Sequence, residues 1–267
     1  MPQTVTTALH DHVAEVVLTR PEKRNAVNID MFEALTDAAQ ALAGNPAVRA
    51  VVLHGAGEHF CAGIDTSVFS AGDPAELARR MQPLPGRVAN LFQNAAIAWR
   101  DLPVPVIAAL DGVVYGAGLQ IAMGADLRIA SPRVRCSIME IRWGIIPDMG
   151  LTATMRHVVR HDRLRELTYT GRIVAADEAR ELGLVTAIAE EPLAAARELA
   201  AQIAGASPDA VRAAKTLLNT AFDEPEADAL RSEVKLQLGV LGGANQREAV
   251  AANVERRVPK FSDPASD

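Results

Sequence analysis

Cysteine is scarce in this sequence. The 267 residues contain only two, Cys61 and Cys136. Two cysteines cannot build a disulfide framework, and their spacing is unlike that of zinc ligands. We therefore expect neither a cross-linked scaffold nor a metal site.

The sequence also lacks an excess of positive charge and any long apolar run. It has 27 Lys and Arg against 33 Asp and Glu, a net charge of −6, which excludes a basic footprint for nucleic acid. A few local Arg or Lys residues would still suffice to bind a phosphorylated ligand. No apolar segment is long enough to span a membrane, and Met1–Asp11 lacks the apolar core of a signal peptide. We expect a cytoplasmic protein.

Several catalytic motifs are missing. There is no phosphate-binding loop and no Gly-x-Ser-x-Gly elbow, so a serine hydrolase is disfavoured. Gly116–Ile121 is like the start of a dinucleotide fingerprint, but it lacks the third small residue.

What the sequence does contain is a regular alternation of strands and helices. Apolar segments typical of strands are Val13–Thr19, Val48–His54, Val104–Leu110, Asp126–Ala130, Val134–Ile138 and Leu184–Ala189. Helical patterns lie between them, at Asn28–Ala43, Arg87–Arg100, Leu119–Gly124, Thr152–Val159 and Asp177–Leu182. This order predicts an α/β architecture with a largely parallel sheet.

The pattern changes from Glu191 onward. Four Ala-rich segments with helical period follow, and no linker precedes them. We expect a core over residues 1–190 and a helical region over 191–267. Within the core, Ser70–Gly86 carries glycine, three prolines and a basic pair, which predicts a loop with one helical turn. Such a loop either binds ligand or covers a site, or it is a plain surface excursion.

Two clusters of small residues indicate a site for an oxyanion. The first is Glu58–Asp65 (EHFCAGID) and the second is Gly116–Gly118 (GAG); each follows a predicted strand. Small residues let a ligand approach the backbone, and a helix start leaves N–H groups free. Two such junctions can aim two amides at one oxygen. Ordinary tight turns would give the same pattern.

Two carboxylates are candidates for acid–base chemistry. Glu140 and Asp148 lie among Trp143, Ile145 and Met149. Apolar walls raise the pKa of a carboxyl group and make it a better base near neutral pH. The alternative is that Glu140 forms an ion pair with Arg142 or another arginine.

Taken in order, these segments resemble the crotonase family, also called the enoyl-CoA hydratase/isomerase family, along nearly the whole chain. Residues 20–27 (RPEKRNAV) are similar to its early RP…NA segment, and residues 60–65 (FCAGID) to its F-[SC]-A-G-x-D motif. Residues 105–112 (PVIAALDG), followed by Gly116–Gly118, are similar to its central motif. Residues 126–130, 144–147 and 178–185 continue in register.

The resemblance implies a fold and a set of partners. The fold would be a spiral of ββα turns with two nearly perpendicular sheets, and its C-terminal helices would form a homotrimer or a hexamer of two trimers. The substrate would be an acyl-CoA thioester, with no metal or redox cofactor. By motif position, the backbone N–H groups of Ile64 and Ala117 would form the oxyanion hole. Contacts with substrate or CoA are implied for Arg24, Ala26, Ala62, Asp65, Thr66 and Gln120. The acyl pocket would be shaped by Ser70–Gly86 with Val68, Phe69, Tyr115, Trp143 and Met149.

One catalytic position departs from the family pattern. Hydratases of this family have two glutamates; the second matches Glu140, but the first falls on Gln120. A glutamine amide can hold a water but cannot carry a proton near pH 7. Double-bond isomerisation needs only one carboxylate, so we expect an enoyl-CoA isomerase or hydratase-like enzyme with Glu140 as base and Asp148 as helper.

Two alternatives remain open. The first is another crotonase reaction, in which Asp148 serves the hydrolysis, decarboxylation or dehalogenation of an acyl-CoA. The second is a non-catalytic acyl-CoA-binding protein, which the substitution at Gln120 would explain.

Overall fold

The computed structural model of the protein describes residues 3–70 and 74–264. The described residues form nine strands: β1 Val5–His10, β2 Val13–Leu18, β3 Ala50–Gly55, β4 Val106–Leu110, β5 Val113–Tyr115, β6 Leu127–Ala130, β7 Arg135–Ser137, β8 Val174–Ala175 and β9 Ala187–Ile188. The helices of the first half are α1 Ile29–Ala43, α2 Ser67–Ser70, α3 Pro74–Arg80, α4 Leu91–Asp101 and α5 Ala117–Met123. Those of the second half are α6 Leu151–Thr154, α7 His161–Thr170, α8 Ala176–Glu181, α9 Pro192–Ala204, α10 Pro208–Thr220, α11 Glu226–Val240 and α12 Ala244–Glu255. Pro21–Lys23 and Glu140–Trp143 are short 3₁₀ helices.

The larger sheet has six strands in the order β1-β2-β3-β4-β6-β9. Only β1 runs antiparallel to its neighbour; the other pairs are parallel. Alternate residues of β3 enter two different apolar clusters: Val51 and Leu53 face the main core, whereas Ala50 and Val52 face α9. Because both faces are covered, the central strands read as continuous apolar runs.

A smaller sheet, ordered β5-β7-β8, continues from the end of β4. β5 pairs in parallel with β7, and β5 leads through Gly116 into α5. The chain between β3 and α2 also joins this region through an isolated parallel bridge between Cys61 and Val114. Both clusters of small residues therefore meet at one place in the fold.

The α/β class and the order of its elements are confirmed, with local corrections. The edge strand β1 was not predicted, because only Val5 of it is buried and the rest lacks an apolar alternation. Helix α7 was also missed, since it buries only Leu167. Of the strand predicted at Leu184–Ala189 only β9 forms, and the helix predicted at Thr152–Val159 ends with α6. The predicted loop Ser70–Gly86 contains α3; its residues 71–73 lie outside the described residues.

The C-terminal helices differ in how they pack. Helix α9 covers the outer face of the larger sheet with Ala196 and Ala200, whereas α11 has no buried residue. The proposed boundary near residue 190 stays a prediction. None of the helices in the described ranges combines the length and apolar character needed to span a bilayer.

Candidate active site

The first cluster of small residues is fixed by the segment that follows the first 3₁₀ helix. Ala62 N donates to Arg24 O at 2.9 Å, Val27 N donates to Gly63 O at 2.8 Å, and Asp65 N donates to Val27 O at 2.9 Å. These bonds use the backbone groups on either side of residue 64. Within the described part of the chain, no hydrogen bond uses the N–H of Ile64 itself.

The second cluster lies directly beside the first. Cys61 N donates to Val113 O at 3.1 Å, and Tyr115 N donates to Cys61 O at 3.0 Å, so the two segments run parallel into their small residues. A Cβ on Gly63, whose φ is +102°, would lie 3.0 Å from Tyr115 O and 3.9 Å from Ala117 N. Only glycine allows this approach.

Ala117 is the first residue of α5, so its N–H has no partner within the helix. No other hydrogen bond among the described residues uses it either. The two amides expected to form the oxyanion hole, those of Ile64 and Ala117, are therefore close together, and each has an N–H that could donate to a ligand oxygen.

Glu140 begins the second 3₁₀ helix and is 7% exposed. Its Oε1 accepts a hydrogen bond from Gln120 Nε2 at 2.6 Å, while its buried Oε2 has no partner among the described residues. A Cβ on Gly116 would lie 3.5 Å from Glu140 Oε1, which places the carboxylate beside the start of α5. One carboxylate oxygen is therefore fixed by Gln120, and the other keeps its hydrogen-bonding capacity unused among the described residues.

Gln120 is held at both ends of its amide and is 1% exposed. Its Oε1 accepts from Met149 N at 2.9 Å, and this bond orients the Nε2 group toward Glu140. The side chain thus links α5 to two segments that lie 20 and 29 residues further along the chain.

The electrostatics of Glu140 suit a base. Burial raises the pKa of its carboxyl group, hydrogen bonds from its own backbone and from Gln120 oppose this rise, and the charge of Asp148 adds to it. No ion pair involves Glu140 within residues 3–70 and 74–264. The alternative of a pair with Arg142 is therefore wrong.

Asp148 lies at the mouth of the site. The residue has exposed surface, yet the apolar groups around its carboxyl remove enough water to raise its pKa. Its charge acts on Glu140, so the two predicted carboxylates are brought together.

Two adjoining cavities open from these residues. The smaller, here called the catalytic cavity, has a volume of about 90 Å³ and is bounded by both clusters of small residues together with Gln120, Glu140 and Asp148. The larger, here called the apolar cavity, has a volume of about 590 Å³. Its walls are the residues Phe32, Ile64, Val68, Leu77, Met81, Phe92, Ile145, Ile146, Asp148 and Met149. Ile64, Ile145, Asp148 and Met149 belong to both cavities.

The residues expected to shape an acyl pocket are divided between these cavities. Val68 and Met149 line the apolar cavity and Trp143 lines the catalytic cavity, whereas Tyr115 contributes its backbone to the bridge with Cys61. The Phe69 side chain lies outside the described residues.

Asp65 has partners within the protein. Its carboxylate accepts from Ser67 N at 3.1 Å, which caps the following turn, and from Arg20 Nη2 at 2.9 Å. Burial alone would raise the pKa of this carboxyl group, but the Ser67 and Arg20 hydrogen bonds and the Arg20 charge outweigh it and lower the pKa. Sequence reasoning did not identify Arg20, because its partner lies 45 residues away.

The fold and these paired junctions define an enzyme of the crotonase fold. The solved structure of the enoyl-CoA hydratase from Bacillus anthracis superimposes with a TM-score of 0.89 at 28% identity, covering 97% of this chain and 99% of that one. Among curated relatives, the enoyl-CoA isomerase/hydratase fer4 of Mycosarcoma maydis is 31% identical, and the match covers 94% of this chain and 92% of that protein. The enoyl-CoA hydratase EchA19 of Mycobacterium tuberculosis is 28% identical, with 94% of each chain covered.

The family model described as enoyl-CoA hydratase/isomerase matches residues 9–264. The chain therefore belongs to the enoyl-CoA hydratase/isomerase family.

Proposed function

We propose that this enzyme moves the double bond of an enoyl-CoA thioester from C3 to C2, with Glu140 as the single acid–base group. The observation that carries the proposal is the state of the Glu140 carboxylate. Its Oε1 is fixed by Gln120, and its buried Oε2 has no partner among the described residues. A carboxylate of raised pKa beside two free amides can both take and return a proton.

The reaction balances with these groups alone. Glu140 Oε2 removes a proton from C2 of the 3-enoyl thioester. The C2–H electrons form a C1–C2 double bond while the carbonyl π electrons move to the thioester oxygen, which gives a dienolate whose negative oxygen accepts from the N–H groups of Ile64 and Ala117. As the dienolate collapses, the carbonyl re-forms, the C1–C2 π electrons become the C2–C3 double bond of the product, and the C3–C4 π electrons take the proton back from Glu140 at C4. This route calls for neither a metal nor a redox cofactor.

Hydration asks for a second proton carrier, and Gln120 cannot serve as one. Its Nε2 donates to Glu140 and its Oε1 accepts from Met149 N, so neither end is free to deliver or receive a proton. Isomerisation is accordingly favoured over hydration.

The apolar cavity favours a substrate whose acyl chain is apolar. Its volume of about 590 Å³ falls within the range of about 300–1,000 Å³ that holds a small-molecule ligand. Asp148 is the one ionisable residue in its wall as described, so a second carboxylate on the acyl group is disfavoured. We place the CoA moiety along the segments that carry Arg24, Ala26, Ala62 and Thr66, which adjoin Ile64: Ala62 N donates to Arg24 O, and Asp65 N donates to Val27 O.

Asp148 supports a second candidate function, another crotonase reaction on an acyl-CoA. Asp148 lines both cavities, and burial raises the pKa of its carboxyl group. A nucleophilic role would leave a covalent acyl adduct on Asp148, visible by mass spectrometry during turnover. An unchanged intact mass would contradict that role.

We also propose that the chain assembles as a homotrimer or as a hexamer of two trimers. Helix α11 presents Leu230, Val234 and Leu238 on one face, and all three are exposed. An exposed apolar face of this kind marks an interface. Light scattering is expected to give the mass of a trimer or a hexamer, and a monomer mass would contradict the proposal.

The main proposal is tested by assaying 3-enoyl-CoA and 2-enoyl-CoA thioesters side by side. We expect isomerisation of the first to exceed hydration of the second by about 10²-fold or more, since general acid–base help from a second group is worth about 10²–10⁴-fold. Hydration as fast as isomerisation would contradict the proposal. Binding of both thioesters without any product would instead identify a binding protein.

A further inference from the structure

An ion pair holds Asp65, the residue that follows Ile64 in the chain. Arg20 Nη2 donates to Asp65 Oδ2 at 2.9 Å, and the two side chains are only 17% and 16% exposed. The same guanidinium also donates through Nη1 to Ala26 O. Arg20 therefore joins the segment around Ala26 to the residue that follows Ile64.

Arg20 is itself fixed to the body of the protein. Its backbone N–H donates to Asn25 Oδ1 at 2.9 Å. Asn25 is fully buried, and its Nδ2 donates to Ala56 O at 3.0 Å and to His59 O at 2.8 Å. This network connects Arg20 to both ends of the first small-residue cluster, since Asn25 holds the chain at Ala56 and His59 and the guanidinium holds Asp65.

The Gly63–Ile64 peptide, which carries the Ile64 N–H, is held from both sides. On one side Gly63 O accepts from Val27 N at 2.8 Å, and Arg20 holds the peptide that carries this Val27 N–H through its bond to Ala26 O. On the other side Asp65 is held through its N–H by Val27 O and through its carboxylate by Ser67 N and Arg20. The guanidinium of Arg20 therefore contacts both parts of the chain that set the direction of the Ile64 N–H.

We propose that Arg20 is a positioning residue for the oxyanion site and that, acting through Asp65 and through the Ala26–Val27 peptide, it fixes the direction of the Ile64 N–H. This inference rests on the proposed function, in which that N–H binds the thioester oxygen. Arg20 touches neither the substrate nor the reacting atoms; its effect is on how well the amide is aligned with the negative charge of the dienolate.

Loss of alignment should affect the transition state more than the ground state. Complete removal of an oxyanion donor costs about 10²–10³-fold in kcat. A misdirected donor retains part of its effect, so we expect Arg20→Met to lower kcat for 3-enoyl-CoA by roughly 10-fold to 10²-fold while KM changes little. Arg20→Lys keeps the charge but not the forked geometry, and we expect it to recover part of the loss.

The stretching frequency of the thioester carbonyl in a bound saturated acyl-CoA reports the hydrogen bonds that the two amides donate to it. A saturated ligand is used because it has no double bond to isomerise, so the complex stays unreacted during the measurement. In the parent protein, infrared difference spectroscopy should show the thioester stretch shifted to lower frequency. Arg20→Met and Asp65→Asn should both reduce that shift. Asp65→Asn keeps the cap on Ser67 N, so it remains informative even where Arg20→Met fails to fold.

Arg197→Met is the control, because Arg197 also forms an ion pair with a carboxylate, donating twice to Glu15 on the far side of the sheet. It should leave both kcat and the carbonyl shift at the parent values. A folded Arg20→Met with the parent's kcat and carbonyl shift would overturn the assignment. The absence of a shift in the parent would overturn the oxyanion site itself, a distinct failure that removes the role of Arg20 with it.

Discussion

Replacing Gln120 by glutamate is expected to give this enzyme the hydration activity that its own sequence disfavours. The two side chains have nearly the same shape, and Met149 N, now 2.9 Å from Gln120 Oε1, can donate to a carboxylate oxygen in the same place. The other oxygen of the introduced carboxylate would then face Glu140 Oε1 across the present 2.6 Å separation. Two carboxylates at that distance must share a proton near neutral pH.

The shared proton supplies the second acid–base group that hydration lacks. We expect hydration of 2-enoyl-CoA to increase by about 10²-fold or more, equivalent to about 2.7 kcal/mol of transition-state stabilisation. We also expect the acid limb of the isomerisation pH profile to move to higher pH, because the carboxylate pair holds its proton more tightly than Glu140 alone.

The assay follows the loss of the conjugated thioester absorbance over a range of pH. Gln202→Glu is the control, since it introduces the same charge at an exposed position on α9. A correctly folded Gln120→Glu enzyme with unchanged hydration would refute the argument that the amide at position 120 limits this reaction.

Two further predictions follow from the geometry of the site. Ile64→Pro removes an N–H that no hydrogen bond among the described residues uses, so kcat for isomerisation should fall by about 10²–10³-fold. Ile64→Val, which keeps the N–H, is the control. A parent-like rate in folded Ile64→Pro would show that this amide does not bind the oxyanion. Glu140→Gln should raise Tm at neutral pH but not at acidic pH. Burial raises the pKa of Glu140 in the folded state, so the native state loses stability as pH rises from the ordinary glutamate pKa through the raised value. Melting curves over this pH range check the sign, and a variant that is less stable at neutral pH would contradict it.

The sequence predicted those parts of the fold that depend on local pattern and capping. Helix α1 begins after Asn28, whose side chain accepts from Met31 N at 3.1 Å, and ends at Ala43 as expected. The segments that were missed carry little apolar signal of their own. Edge strand β1 buries only Val5, and α7 buries only Leu167.

The candidate site could be predicted only in part, because its contacts connect distant residues. Glu140 and Asp148 were identified from their apolar neighbours, and the structure brings them together. That Gln120 links Glu140 to Met149, or that Arg20 reaches Asp65, could not be read from spacing, since these partners are between 20 and 45 residues apart. Glutamine at position 120, where the family pattern has glutamate, predicted the loss of a proton carrier. Only the fold shows that the Gln120 amide also orients Glu140.

The central claim is that Glu140 carries the proton between C2 and C4, and the isomerisation rate of Glu140→Gln tests it most directly. The substitution keeps the size of the side chain and can keep the hydrogen bond from Gln120 Nε2, so the site should stay assembled. We expect kcat for 3-enoyl-CoA to fall by about 10²–10⁴-fold, with thioester binding retained. A folded Glu140→Gln enzyme that isomerises 3-enoyl-CoA at the parent rate would contradict the account.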